Sequence, residues 1–259
     1  SAVNLLIIPL AAWAASPLLI EPLRLGLPVA AATPCTLASA AVWTRRAGGA
    51  DSVAILVTLL TNGTCFLTMP LWLAAMTGTI VEDHTRLLAM ISELALLVVL
   101  PLLLAQLARR QKPVGRWATE DRIPLGVAAE LGILLMVLIG CIKAGLEIRA
   151  FPTETAPRWP DYLLMGAAVV ALHLGGLALG YQLAARLGMQ RGDSIAVAFA
   201  GSQKTLMVGV HMAAVHFGGL AILPILIYHI TQLLIDTLIA DRFRRTAAAD
   251  PLTPAADAK

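Results

Sequence analysis

The chain has 259 residues, of which 58% are hydrophobic and only 14% are charged, and its net charge is +3. Soluble domains carry about 25% charged residues, so this composition, with a mean hydropathy of +0.80, excludes a soluble domain. The basic residues form no stripe with interleaved aromatic residues, which argues against nucleic acid as a partner. The composition predicts an all-α polytopic membrane protein whose partners are the lipid bilayer and a small-molecule solute, and it does not define an oligomeric state.

Eight apolar segments follow one another, and each approaches or exceeds the roughly 20 residues that a membrane helix needs. They cover residues 2–19, 26–43, 52–76, 87–108, 124–147, 161–185, 194–216 and 219–241. Polar or helix-breaking residues interrupt the second segment at 33–36 and the seventh at 201–206. We interpret 1–241 as one transmembrane transporter domain, with core elements at 26–76 and 194–241, and 242–259 as a disordered cytoplasmic tail.

Basic residues alternate between the two sides of the predicted membrane. The connections on one side carry 12 Lys and Arg residues, and those on the other side carry 4. Because short cytoplasmic loops are enriched in Lys and Arg, this bias predicts eight crossings with both ends of the chain in the cytoplasm. We expect an integral protein of a bacterial inner or plasma membrane.

The two interrupted segments belong to an internal repeat. A shift of 169 residues brings Thr36 onto Thr205, and each unit then combines a broken polar helix, a Gly-Gly turn and a long helix. The two units cross the membrane in opposite directions, which is typical of the inverted repeats of secondary transporters. Five segments form the second unit and three remain for the first, so we expect two further helices before Ser1 in a ten-helix fold.

Lys204 is the most unusual residue of the seventh segment. A lysine at the centre of a membrane helix costs about 2.5–3.5 kcal/mol, which favours a functional role. Its cation either occupies the place of a bound Na⁺ or attracts an anionic substrate. Glu93 and Glu130, one to two turns inside their segments, either neutralise Lys204 or face the membrane surface.

Two further helix faces carry polar side chains at helical spacing. One face contains Thr58, Thr61 and Asn62, and the other contains His229, Gln232 and Asp236. These residues either form interhelical hydrogen bonds or line a site, and Asp236 is close enough to the cytoplasmic end to be solvated. The chain has no H-E-x-x-H, no G-x-S-x-G and no pair of membrane aspartates, so we do not expect an enzyme.

Three motifs resemble the bile acid:sodium symporter superfamily, and more narrowly its SBF-like branch, in which G-S-Q-K-[TS]-L is distinctive. They are G-S-Q-K-T-L at 201–206, P-C-T-L-A-S at 34–39 and T-R-R-A-G-G at 44–49. The resemblance implies a ten-helix fold with a panel domain and a core domain, in which two broken helices cross. The eight segments would be the third to tenth helices, and the first two would be absent.

The resemblance also implies a site at the crossing, where sodium-coupled members bind two Na⁺. The candidate substrate- and ion-binding residues are Thr36, Ser39, Thr58, Asn62, Ser202, Gln203, Lys204, Thr205, His229 and Gln232. Thr58 and Gln203 match sodium-ligand positions, whereas an acidic position falls on Phe199 and another ligand position on Ala54. We therefore hypothesise that the Lys204 ammonium replaces at least one Na⁺, and we expect no cofactor other than Na⁺ itself.

The sequence thus predicts a secondary transporter that moves a small organic solute by alternating access with Na⁺ or H⁺ coupling. An organic anion is the preferred class of solute. Arsenite efflux carriers share the fold and have a cysteine in a similar Pro-Cys-Thr context, so Cys35 makes metalloid efflux an alternative. A scaffold or regulatory protein that keeps the fold without transporting is the other alternative.

Overall fold

The computed structural model describes residues 1–77, 84–152 and 156–248, and these residues form helices joined by short connections. The α-helices are α1 (Ile8–Ala15), α2 (Glu21–Arg24), α3 (Gly26–Ala32), α4 (Ser39–Arg46), α5 (Asp51–Thr77), α6 (His84–Leu94), α7 (Leu100–Arg109), α8 (Lys112–Glu120), α9 (Arg122–Ala150), α10 (Trp159–Arg186), α11 (Arg191–Ser202), α12 (Leu206–Met212) and α13 (Ile222–Ala248). Short π-helical segments cover Val3–Ile7, Ala95–Val99 and Ala213–Phe217. Short 3-10 helices cover Ser16–Leu18 and Gly219–Ala221.

Within the described residues, five helices are long and apolar enough to cross a membrane. They are Asp51–Thr77, Thr85–Arg109, Arg122–Ala150, Trp159–Arg186 and Ile222–Thr246. A shorter apolar helix covers Val3–Leu18. These helices agree with an integral membrane protein, and the count of eight crossings stays a prediction.

The helices of segments two and seven are both broken. Residues 33–38 separate α3 from α4, and Pro34 explains the break because proline lacks an N–H and disfavours the helical conformation of the preceding residue. Thr33 accordingly has an extended ψ of 148°. Residues 203–205 separate α11 from α12, and the Thr205 N–H donates to the Pro34 carbonyl over 3.0 Å. The two breaks therefore cross in direct contact.

The long helices differ in how much of their surface is buried. In the most apolar 18-residue stretch of each helix, 39% of α5 and 44% of α13 is buried. The corresponding stretches of Thr85–Arg109 and α9 are only 11% and 6% buried. The crossing lies among α5, α10 and α13, and α10 packs closely along α11. A Cβ atom at Gly180 would lie 3.0 Å from the Val197 carbonyl oxygen, so glycine permits this close approach of the two helices.

The end of α13 corrects the predicted tail. The helix continues to Ala248, so the prediction of disorder from residue 242 is wrong for 242–248. Arg191 explains the difference, because its guanidinium donates to the Phe243 carbonyl over 2.7 Å and to Thr246 Oγ1 over 3.2 Å. Residues 249–259 lie outside the described residues.

Candidate functional site

The second break leaves backbone groups without helical partners, and distant side chains bind them. The Asn4 side chain donates through Nδ2 to three carbonyl oxygens, at 3.3, 3.2 and 2.9 Å, from Ala200, Gly201 and Gln203. Gln232 on α13 binds both backbone groups of Lys204, accepting its N–H over 2.9 Å and donating to its carbonyl over 3.0 Å. The non-helical conformation is therefore held from two sides.

The Lys204 side chain is fully buried, and its ammonium lies between the two broken helices. Nζ donates to the Asn4 carbonyl over 2.8 Å, to Asn4 Oδ1 over 3.3 Å and to the Thr33 carbonyl over 2.9 Å. Thr33 is the first residue of the break after α3, so its carbonyl has no helical partner. Three uncharged oxygen atoms thus surround the cation.

Neither Glu93 nor Glu130 pairs with Lys204, which excludes the first of the two alternatives for these glutamates. Glu93 Oε2 instead lies 2.8 Å from His216 Nε2 and 3.2 Å from His211 Nε2, and Glu130 is exposed on α9. The physical reason is that the Thr33 carbonyl at the first break and the two oxygen atoms of Asn4 accept the hydrogen bonds of the ammonium, so it is satisfied without a carboxylate.

Gln203 connects the two breaks through its side-chain amide. Its Oε1 accepts hydrogen bonds from Thr36 Oγ1 over 2.5 Å and from Ser39 Oγ over 2.9 Å. Its Nε2 donates to Asp236 Oδ2 over 2.6 Å. Thr36, Ser39 and Gln203, which the sequence analysis selected, therefore meet in one cluster.

Asp236 is a central residue that the selection omitted. Its side chain is 0% exposed, although its position near the end of segment eight also allowed a solvated carboxylate. Its Oδ1 lies 2.8 Å from His173 Nε2, and His173 on α10 is also 0% exposed. The sequence does contain a signal for Asp236. It follows Gln232 by four residues, which puts both side chains on one face of α13.

The side chains of α5 bind the first break. Asn62 Nδ2 donates to the Cys35 carbonyl over 2.8 Å, and Thr58 Oγ1 donates to the Thr36 carbonyl over 3.3 Å. The Cys35 N–H donates to Thr61 Oγ1 over 3.3 Å, and Cys35 Sγ lies 3.5 Å from Thr58 Oγ1. Thr58 and Asn62 therefore donate hydrogen bonds to backbone carbonyls of the first break.

The remaining selected residues contribute in different ways. Ser202 Oγ bonds within its own helix to the Phe199 carbonyl, whereas the Ser202 carbonyl accepts a hydrogen bond from the Tyr228 hydroxyl over 2.8 Å. Thr205 contributes its backbone N–H to the crossing. His229 Nδ1 lies 3.0 Å from Gln232 Nε2, so it borders the cluster through that glutamine.

Four residues that bind the second break are not among the predicted site residues: Asn4, Thr33, His173 and Tyr228. Their contacts with it span 26 to 200 positions along the chain, and no local pattern links them to it. Phe199, at the position where the resemblance places an acidic residue, is fully buried in an apolar cluster with Phe243. The carboxylate beside Gln203 comes instead from α13.

Known proteins are similar to this chain over most of its length. The family model of the SBF-like CPA transporter family matches residues 1–245. An uncharacterized protein of Pseudomonas aeruginosa is 30% identical over 250 residues, which are 93% of this chain and 72% of that protein. Sodium/bile acid cotransporter 7 of Rattus norvegicus is 25% identical over 221 residues, which cover 83% of this chain and 62% of the relative.

The Escherichia coli protein YfeH, named as a candidate symporter, is 25% identical over 218 residues, which cover 82% of this chain and 63% of YfeH. The chain thus spans less than two thirds of the rat and Escherichia coli relatives. The match of the family model over nearly the whole chain confirms the resemblance drawn from the three motifs. The chain belongs to the SBF-like CPA transporter family, a family of membrane transporters.

Proposed function

We propose that this protein is a secondary transporter of a small organic anion and that it works by alternating access around the crossing of the two broken helices. Membership of a transporter family supports the reaction class. The observation that carries the proposal is the buried Lys204 ammonium at the crossing, whose hydrogen bonds within the described residues go to uncharged oxygen atoms.

The ligands of Lys204 are of the kind that a hard metal cation takes, because they are two backbone carbonyls and one amide oxygen. A fixed ammonium in the same place repels a metal cation strongly in a medium of low dielectric constant. Lys204 thus replaces at least one Na⁺, and the coupling ion is either Na⁺ at another position or H⁺. Thr58 and Gln203 remain the candidate ligands for any Na⁺ that still binds.

The anionic class of solute follows from the same charge. A buried lysine gives its immediate surroundings a positive potential, and the hydrogen bonds of Lys204 within the described residues go to uncharged oxygen atoms, whereas buried Asp236 binds Gln203 and His173. The rat relative is named as a bile acid cotransporter, and bile acids are organic anions, so they belong in any test panel.

The proposal includes the topology expected from the sequence: eight crossings in this chain, both ends cytoplasmic, and an inverted repeat within a ten-helix fold. The alternation of Lys and Arg between the two sides supports the orientation. Placement in a bacterial inner or plasma membrane belongs to the same proposal.

The first experiment measures thermal stability of the purified chain in lipid nanodiscs against matched organic anions and cations. Cholate, taurocholate, benzoate and small sulfonates form the anionic set, and amines of similar size form the control set. We expect stabilisation by at least one anion and none by the amines, because a ligand that binds only the folded state stabilises it. Stabilisation by amines alone would contradict the anionic class, and no response to any solute would favour a scaffold.

The second experiment measures uptake of the stabilising anion into proteoliposomes in Na⁺ medium and in choline medium. We expect equal rates if Lys204 has replaced the coupling Na⁺, whereas a strict Na⁺ requirement would overturn that assignment. The arsenite alternative is tested in cells that express the chain, because Cys35→Ser must lower arsenite tolerance if the thiolate is a ligand.

A further inference from the structure

The connection between α7 and α9 carries more basic residues than any other connection of the chain. Residues 109–122 contain five basic and two acidic side chains, so this stretch has a net charge of +3. The basic residues are exposed, and they are Arg109, Arg110, Lys112, Arg116 and Arg122. Within the described residues, none of their side chains has a hydrogen bond or an ion pair, whereas Arg46 pairs with Asp241. The five cations are therefore available to a ligand.

The structure places α8 across the end of α7. Gln111 has an extended ψ of 121° and separates the two helices. A Cβ atom at Gly115 would lie 2.8 Å from the Arg109 carbonyl oxygen, so glycine permits α8 to fold back onto the end of α7. Thr85–Arg109 and α9 are each long and apolar enough to cross a membrane. A segment that joins two such helices directly lies at a membrane surface.

The two faces of α8 differ in chemistry. Lys112 and Arg116 are four residues apart and share one face, while Val114, Trp117 and Ala118 share the opposite face. Val114 and Ala118 are partly buried, but Trp117 is 53% exposed. A helix with a basic face and an apolar face that contains tryptophan is typical of helices that lie in the membrane interface.

The exposed apolar residues favour lipid over a soluble partner. Ile123, the second residue of α9, is 71% exposed and lies where that helix enters the membrane. An acidic soluble protein matches the charge of 109–122 but leaves no role for apolar side chains at the membrane boundary. A phospholipid with an anionic headgroup matches both features, because its phosphate binds basic side chains and its acyl chains contact apolar ones.

We propose that α8 and the arginines beside it bind the headgroups of anionic phospholipids, with Lys112 and Arg116 at the phosphates and Trp117 among the lipids. This contact holds the joined ends of α7 and α9 at a fixed depth in the membrane. The inference goes beyond the proposed transport function and does not depend on it. Only the choice of the cytoplasmic leaflet rests on the proposed orientation.

The first test measures the fluorescence of Trp117 in the full chain. Nanodiscs of phosphatidylcholine contain a minor fraction of phosphatidylglycerol that is brominated near the glycerol backbone, or the same fraction of equally brominated phosphatidylcholine. The chain has five tryptophans, so comparison with Trp117→Phe isolates the contribution of this residue. We expect brominated phosphatidylglycerol to quench that contribution more strongly than brominated phosphatidylcholine. Equal quenching by the two lipids, or quenching by neither, would overturn the proposal.

A pair of double variants tests whether the basic face causes the preference. Lys112→Gln with Arg116→Gln removes two charges from α8, whereas Arg24→Gln with Arg149→Gln removes two exposed charges elsewhere. Each basic residue near an anionic leaflet strengthens binding by about fivefold, so the α8 variant should lower the preference for phosphatidylglycerol by at least about fivefold. The control variant should keep the preference. An equal loss in both variants, or a loss in neither, would contradict the assignment.

Two measurements on the unaltered chain decide the proposal if the α8 variant does not fold. Raising the salt concentration from about 0.1 M to about 1 M shortens the Debye length from about 10 Å to about 3 Å, so it should weaken the preference. Soluble glycerol phosphate has a phosphate group without acyl chains and should not displace brominated phosphatidylglycerol from Trp117. A preference that salt leaves unchanged would exclude electrostatic binding. Displacement by glycerol phosphate would assign the site to a free anion, and either result overturns the proposal.

Discussion

The replacement Asn4→Ala tests whether Asn4 holds the second break in place. It removes the amide that donates to three carbonyl oxygens and the Oδ1 contact with Lys204, while the backbone contact with Lys204 remains. An amide has only two N–H groups, so at most two of the three carbonyl contacts are strong. Each buried polar group that loses its partner costs about 1–3 kcal/mol. Because Asn4→Ala leaves two carbonyl groups without a strong hydrogen bond, we expect the free energy of unfolding to fall by about 2–4 kcal/mol.

The assay is equilibrium unfolding in mixed micelles, with Asn62→Ala as the matched control. Both asparagines are 1% exposed and both bind carbonyls of a break, but Asn62 contacts the first break and not Lys204. Both replacements should therefore destabilise the protein. They should differ in how they combine with Lys204→Met.

A double-mutant cycle measures that difference. Asn4→Ala and Lys204→Met remove opposite sides of one contact, so we expect a coupling energy of about 1 kcal/mol, whereas Asn62→Ala should add to Lys204→Met within about 0.5 kcal/mol. Equal behaviour of the two asparagines in the cycle would refute the assignment of Asn4 as the residue that positions the ammonium.

Three further predictions concern the same region. Lys204→Ala frees three oxygen ligands, so Na⁺ but not choline should stabilise this variant, by about 1.4 kcal/mol at ten times its Kd, and the unaltered chain should lack this additional stabilisation. Gly180→Ala should destabilise the protein by about 1–2 kcal/mol in the same unfolding assay because its Cβ would meet the backbone of α11, whereas Gly175→Ala, with open space, should not. Glu93→Gln should lower the melting temperature by weakening a partly buried contact with two histidines, while Glu130→Gln at an exposed position should not change it.

The breaks of both helices were predictable because their chemistry is local. Pro34 interrupts an apolar run, and Gln203 and Lys204 put polar groups at a depth where a membrane helix avoids them. The polar face of α13 was also predictable from its spacing, which puts His229 and Gln232 on one side of the helix, and the two side chains are in contact there.

The partners of these residues were not predictable, because they depend on the packing of helices distant in sequence. Asn4 lies 200 positions from Lys204, and His173 lies 63 positions from Asp236. The alternative in which a glutamate neutralises Lys204 is excluded for the same reason. The oxygen atoms that bind the ammonium belong to Asn4 and Thr33, which lie 200 and 171 positions away in the chain.

The two buried charges of the crossing have separate partners, and this separation has a consequence for transport. Breaking a buried ion pair costs about 3–5 kcal/mol because it leaves an uncompensated charge, so a direct pair between Lys204 and Asp236 would oppose any rearrangement that separates the two side chains. Here the ammonium binds oxygen atoms of Asn4 and Thr33, while Asp236 binds Gln203 and His173. Each of the two side chains therefore has its own set of partners, and a movement that breaks one set leaves the other in place. The alternating access proposed for this carrier needs such a movement at the crossing.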